Sequence, residues 1–252
     1  MIRMNDEMIS SREIKQIRSL ATKKGREESG LFTVEGEKMV SEALASCFEV
    51  VKVYRTEEIG QEAMGRISAL STPSPALAVL RQKESREPRV PSDGLILCLD
   101  SIRDPGNLGT IIRVADWFGV REIVASPDTV ELYNPKTVQA TMGAIFRVNV
   151  SYCDIIRYAK DTVKSGGKVY GTFLDGENIY RKPLETGETA PAVIVIGNES
   201  RGISREMDAV VSDRLFIPSF PGDGSLTSES LNAAIATAIT LAEFRRRIWA
   251  SR

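Results

Sequence analysis

The sequence predicts an α/β chain in two parts, the larger built on a parallel sheet, and three observations carry that prediction. Leu95-Ile96-Leu97-Cys98-Leu99 is an apolar run without polar alternation, which suits a strand buried on both faces of a parallel sheet. After it, strand and helix patterns alternate, the order of a sheet covered by helices. Before it, Gln82 to Gly94 (QKESREPRVPSDG) is polar, charged and carries Pro88 and Pro91. That is the composition of a linker, so the boundary falls there, with residues 1–88 in one domain and 89–252 in the other.

In the first part, Ser10 and Ser11 precede a helix over Arg12 to Thr22 that turns Ile14, Ile17 and Leu20 inward and Arg12, Lys15 and Arg18 outward. Lys23, Lys24 and Arg26 extend the basic character. The ordinary reading is a solvated helix face, and the functional one a patch that tracks phosphates. A strand at Phe32 to Val34, a helix at Glu37 to Cys47, a strand at Phe48 to Tyr54, a helix near Thr56 to Leu70 and a strand near Ala76 to Leu80 complete a small α/β module.

In the second part, the strand at Leu95 to Leu99 leads into Asp104, Pro105, Gly106 and Asn107, with Asn107 expected to cap the helix that follows. Leu108, Ile111, Ile112, Ala115 and Phe118 bury one side of that helix and leave Gly109, Arg113 and Asp116 on another. Further elements are expected at Glu122 to Ala125 (strand), Pro135 to Ala144 (helix), Arg147 to Val150 (strand), Asp154 to Ser165 (helix) and Lys168 to Phe173 (strand). Glu177 to Ala190 reads as surface loop. Ala192 to Ile196 and Arg214 to Ile217 read as strands, and Glu229 to Trp249 as the last helix.

Composition narrows the chemistry. The 252 residues hold 33 Lys and Arg against 34 Asp and Glu, a formal charge of -1, so any surface for nucleic acid has to be local. There is no histidine, which removes Ser-His-Asp and Cys-His catalysis, histidine zinc sites and imidazole acid/base work together. Cys47, Cys98 and Cys153 form no CxxC pair, as expected of reduced thiols, and neither a signal peptide nor a membrane-length apolar run is evident. A cytoplasmic protein away from membranes is the expectation.

Three loops are candidates for one site. The first, Asp104 to Arg113, holds an arginine near the carboxyl end of a strand, where open α/β sheets bind ligands. Gly106 and Gly109 do not complete G-x-G-x-x-G, so a nicotinamide site is poorly supported. Taken alone, Arg113 reads as a surface partner of Asp116. In the second loop, Val193 to Ile196 runs into Gly197-Asn198-Glu199-Ser200-Arg201-Gly202, where glycine permits close approach to the backbone and Glu199 offers an acceptor. A tight strand-to-helix connection capped by Ser204 explains the same letters. In the third, Ile217-Pro218 is followed by FPGDGSLTSES and Ser230-Leu231-Asn232, readable as a loop before a serine-capped helix.

Taken together, N-x-G-x-x-x-R at Asn107, Gly109 and Arg113, G-N-E-x-x-G at Gly197 to Gly202, and I-P with S-L-N at Ile217, Pro218 and Ser230 to Asn232 resemble the three motifs of the SpoU/TrmH RNA methyltransferases of the SPOUT superfamily. The likeness runs from about Leu95 to Arg247, and the amino-terminal module is similar to the RNA substrate-binding domain that many members carry. Asn134-Pro135-Lys136 and Gly143-Ala144 also sit where relatives carry similar residues.

The resemblance implies S-adenosylmethionine as methyl donor, a ribose 2′-hydroxyl of rRNA or tRNA as acceptor, no metal, a homodimer, and a deep trefoil knot near the carboxyl terminus. Pattern alone implies an ordinary doubly wound sheet. Carried over residue by residue, Gly197, Asn198, Ile217, Pro218 and Leu231 surround the cofactor and Arg113 activates the hydroxyl. Asn107 and Glu199 orient Arg113 and the RNA, and Ser230 and Asn232 form the third side. The stretch Phe220 to Ser228 is longer than the family pattern and reads as a lid, a change to the knot or decoration. A catalytically inactive RNA-binding protein of the same fold is the alternative, and the intact N-x-G-x-x-x-R argues for activity.

Overall fold

The computed structural model describes residues 9–84, 87–185, 187–220 and 230–250. Two compact units result, one of residues 1–84 with 131–146 and the other of 85–130 with 147–252. Residues 131–146 lie beyond the linker in sequence yet pack with the first unit.

In the first unit, α1 (Ser11–Ser19) starts at a reciprocal cap in which the Ser10 hydroxyl accepts from the Glu13 N–H and the Glu13 carboxylate accepts from the Ser10 N–H. Then follow α2 (Lys23–Ser29), β1 (Leu31–Glu35), α3 (Glu37–Leu44), β2 (Val50–Arg55), α4 (Thr56–Ile59), α5 (Gln61–Ile67) and β3 (Ala76–Arg81). The single helix expected near Thr56 to Leu70 is two, because Gly60 sits at φ +81 between them. The strands form an antiparallel sheet in the order β1-β3-β2. Ile14, Ile17 and Leu20 are buried with Leu31, Tyr54, Met64, Leu77 and Val79, as the helical spacing predicts.

The basic patch needs correction. Arg26 is 2% exposed, donates to the Leu20 carbonyl at 2.6 Å and pairs with Glu131. Its charge is spent on fastening residues 131–146, not on a ligand. Lys23 and Lys24 lie 3.7 Å from Glu27 and Glu28. Arg12, Lys15 and Arg18 stand exposed on α1 with no ion-pair partner among the described residues.

The second unit contains β4 (Leu95–Leu99), α6 (Pro105–Trp117) and β5 (Glu122–Ala125). The chain then makes α7 (Pro135–Thr141) inside the first unit and returns as β6 (Asn149–Tyr152), α8 (Ile155–Lys164), β7 (Lys168–Asn178), β8 (Ala192–Ile196), α9 (Arg205–Asp208), β9 (Asp213–Phe216) and α10 (Ala233–Ala250). Six parallel strands take the order β6-β5-β4-β8-β7-β9. Every residue of β4 and of β8 is buried, which is what their unbroken apolar runs require. Glu177 and Asn178, expected in a loop, extend β7 instead. Both Thr172 and Glu177 stand opposite Leu215 across an irregularity, and β9 supplies the pairing that keeps the chain extended. No helix among the described residues is long and apolar enough to cross a membrane.

Candidate active site

The site follows from the register of the two central strands. Leu99 at the end of β4 pairs with Ile196 at the end of β8, and the Asp100 N–H donates to the Ile196 carbonyl at 2.9 Å. The loops leaving these strands therefore start side by side at the carboxyl edge of the sheet, at the point where strand order diverges to either side. They are stitched together at once: Asn198 Nδ2 donates to the Ser101 carbonyl at 2.8 Å, and the Ser204 N–H donates to the Asp100 carboxylate at 2.8 Å. Asp100 is 4% exposed, and an amide from the opposite loop meets the demand that a buried carboxylate be hydrogen-bonded.

The first loop differs from the sequence reading at its cap. Asp104, not Asn107, caps α6: its carboxylate accepts from the Asn107 N–H at 2.7 Å, and Pro105 takes the first helical position. An acidic residue directly before proline is the signal for that start, and it outranks an asparagine three residues further on. The Asn107 side chain is consequently free to turn outward. Its Nδ2 donates to Glu199 Oε1 at 2.9 Å, and its Oδ1 accepts from Asn232 Nδ2 at 2.8 Å.

One residue from each loop thus meets in a continuous relay, Glu199 to Asn107 to Asn232. Glu199 also faces the N–H groups of Arg103 and Asp104 at 3.5 and 3.4 Å. Asn232 in turn caps α10, its Oδ1 accepting from the Ala234 and Ile235 N–H groups at 2.9 and 3.3 Å. The expected serine cap at this helix is an asparagine.

The second loop is held in shape by its own backbone. Asn198 and Gly202 exchange N–H···O bonds, both 2.9 Å, and Asn198 Oδ1 accepts from the Ser200 and Arg201 N–H groups at 3.0 Å. Gly202 adopts φ +69, and a Cβ at Gly197 would lie 2.3 Å from the Gly202 carbonyl carbon. Backbone cannot swing aside as a side-chain tip can, so Gly197→Ala is expected to open the turn and displace Glu199. Calorimetry with S-adenosylmethionine should show affinity reduced about five- to a hundredfold, as expected when a core-like contact is overpacked by about 1–3 kcal/mol. Unchanged affinity would show that the shape of this turn does not bear on cofactor binding.

The remaining candidates are less tightly joined. Ile217 and Pro218 are half-buried just past β9, at the same edge of the sheet, and Leu231 beside Asn232 is 48% exposed. Ser230 is exposed and bonds no described residue. Arg113 lies about one and two-thirds turns along α6 from Asn107, about 9 Å along the axis and roughly 240° around it, so it does not share Asn107's face. It is exposed and has no hydrogen-bond or ion-pair partner among the described residues. The expected pair with Asp116 is not formed, because Asp116 is taken by Arg147 at 2.8 Å and Arg121 at 3.6 Å. Gly109, expected on the open face with Arg113, is buried. Residues 221–228, the bulk of the stretch read as a lid or decoration, lie outside the described residues, and Phe220 before them is 86% exposed.

The residues present suit an amphipathic nucleoside ligand. Ile217, Pro218 and Leu231 offer partly uncovered apolar surface, and the Gly197–Gly202 turn offers backbone groups, the mixture that small-molecule sites use for an aromatic base with polar attachments.

Known proteins share this architecture. Residues 94–242 match the SpoU rRNA Methylase family, and residues 11–86 match the MRM3-like substrate binding domain. The chain is 28% identical over 254 residues to the 23S rRNA (guanosine(2553)-2′-O)-methyltransferase RlmP of Bacillus subtilis, covering 95% of this chain and 98% of that one. A TrmH-family protein from Porphyromonas gingivalis superposes with a TM-score of 0.84 at 38% identity, over 95% of this chain and 99% of its own. An AdoMet-bound rRNA methyltransferase from Sinorhizobium meliloti does so with a TM-score of 0.81 at 27% identity, over 95% and 96%. With more than half its length matched by one family and a similar fold at 38% identity across nearly all of it, the chain belongs to the SpoU rRNA Methylase family.

Proposed function

We infer that the three bends joined by the Glu199–Asn107–Asn232 relay serve methyl transfer from S-adenosylmethionine to a ribose 2′-hydroxyl of rRNA. The relay is the observation that carries this reading, because it unites side chains 92 and 125 residues apart at the edge of the sheet where such sheets hold ligands. When bound, the cofactor supplies an already electrophilic methyl group on a sulfonium. The chain's own residues have to align an oxygen with it and ease the loss of one proton. Gly197, Asn198, Ile217, Pro218 and Leu231 hold the cofactor; Asn107 and Glu199 fix the geometry of the first two loops; Ser230 and Asn232 form the third side.

Arg113 binds the RNA phosphate next to the reacting ribose and stabilises alkoxide charge as it develops, while water or a neighbouring group takes the proton. A guanidinium is a strong donor and a poor base, so electrostatic work suits it better than proton abstraction.

The same proposal assigns RNA binding to residues 1–88, with the exposed Arg12, Lys15 and Arg18 as its phosphate contacts, and catalysis to 89–252. It also includes a homodimer. Thr110, Arg113 and Trp117 share an exposed face of α6, with Trp117 85% exposed, and Ile235 on the adjoining α10 is 51% exposed. A second copy seated there would cover this apolar surface and set Arg113 at the seam. A cytoplasmic location and a deep trefoil knot near the carboxyl terminus complete the reading.

The deciding experiment incubates the protein and labelled S-adenosylmethionine with ribosomal RNA and tRNA from cells lacking the gene, then maps ribose methylation. A single 2′-O-methylated nucleotide in rRNA is expected. Cofactor binding without label in any RNA would favour the inactive RNA-binding alternative.

A further inference from the structure

Beside the relay, the carboxyl ends of β4 and β5 hold a second polar cluster. The Asp128 carboxylate accepts from the Ser126 hydroxyl at 2.6 Å, the Ser101 hydroxyl at 2.7 Å and Arg103 Nη2 at 2.5 Å. Ser126 Oγ accepts from the Ser101 N–H at 2.9 Å and lies 3.0 Å from the Thr129 hydroxyl. The Ser126 bond, then those of Ser101 and the charge of Arg103, hold Asp128 below the usual carboxylate range, so it is ionised at neutral pH. Ser101 itself sits at φ +62, a left-handed conformation costly for a residue with a side chain and kept only where surroundings impose it. Here they do: its N–H, hydroxyl and carbonyl are all bound.

All this ordering converges on one exposed side chain. Arg103 is 61% exposed, yet its guanidinium is pinned at one corner by Asp128, and its own N–H faces Glu199 at 3.5 Å. A guanidinium carries five N–H donors, and Asp128 takes one. Three carboxylates, those of Asp104, Asp128 and Glu199, lie around Arg103, and the exposed Arg201 stands on the same loop as Glu199, so a polyanion approaching here needs a cation held in place.

We propose that Arg103 is a second RNA-phosphate contact of the site, set beside the relay, and that Asp128 is the positioning residue that aims it. This rests on the methyltransferase reading given above. The planar fork with an edge left open matches phosphate oxygens, and pinning it beforehand lowers the ordering cost that a free arginine would meet on binding.

The test compares Arg103→Gln, Arg103→Lys and Asp128→Asn for binding to a ribosomal RNA fragment across a salt series. Glutamine keeps an N–H donor for Asp128, so the two loops stay tied while the charge is lost. Arg103→Gln is expected to weaken binding about tenfold at low salt and to reduce the slope of log Kd against log salt by about 0.7 to 0.9, one phosphate contact. Arg103→Lys should keep the slope and bind a few-fold more weakly, since it has charge without the fork. Asp128→Asn should also keep the slope while raising the KM for RNA more than it lowers kcat. Wild-type Kd and slope in Arg103→Gln would overturn the proposal and leave the pair as a tie between loops. Methyl incorporation by the wild-type protein is measured alongside, so failure of the methyltransferase reading is scored separately from the salt slope.

Discussion

Arg113→Ala is expected to lower the single-turnover rate of methyl transfer by several hundredfold while leaving S-adenosylmethionine affinity within about threefold. Removing one preorganised donor that meets charge only as it develops costs about 10²–10³ in rate. Arg113 fits that description, since neither an ion pair nor a hydrogen bond to a described residue competes for its guanidinium. Arg113→Lys should recover part of the loss, because charge is retained and the fork is not. The rate is read by quench-flow at saturating RNA. Wild-type rates in both variants would end the assignment.

The second large effect falls on Asn107. Asn107→Ala cuts both bonds of the relay and leaves Glu199 with long contacts of 3.4–3.5 Å, from the Arg103 and Asp104 N–H groups and from Asn198 Nδ2. A hydrogen bond to a charged group contributes about 1.5–3 kcal/mol, so kcat/KM should fall about 10²-fold. Asn107→Asp should be worse, since it sets a second carboxylate where Glu199 now receives a donor. Combining Asn107→Asp with Glu199→Gln reverses the bond and still lets position 107 accept from Asn232. If the relay only holds the loops together, this double variant recovers both thermal stability and activity. If the Glu199 charge also orients RNA, stability returns and activity does not. Additive losses across the set would show that residues 107 and 199 are not coupled at all.

Different parts of this molecule were legible in the sequence to different degrees. β4 and β8 stood out because burial on both faces leaves an unbroken apolar run, a signal contained within five residues. α1 stood out because its apolar spacing and its cap lie within one turn of each other. Arg26 misled, because a charged residue in a charged stretch reads as solvated, and its partner Glu131 is 105 residues away. The end of β7 misled for the same reason, since Glu177 and Asn178 are extended only through pairing with β9.

The site divides along that line. By itself the sequence determined the α/β alternation, the three loop motifs and the chemistry left to a chain without histidine. Those follow from side-chain type and short-range spacing. Only the tertiary structure decided that Asp104 is the cap, that Asn107 is released to bridge Glu199 and Asn232, and that Arg103 is pinned by Asp128. The physical reason is register: pairing Leu99 with Ile196 fixes which loops emerge together, and no local pattern encodes which distant strand will lie alongside.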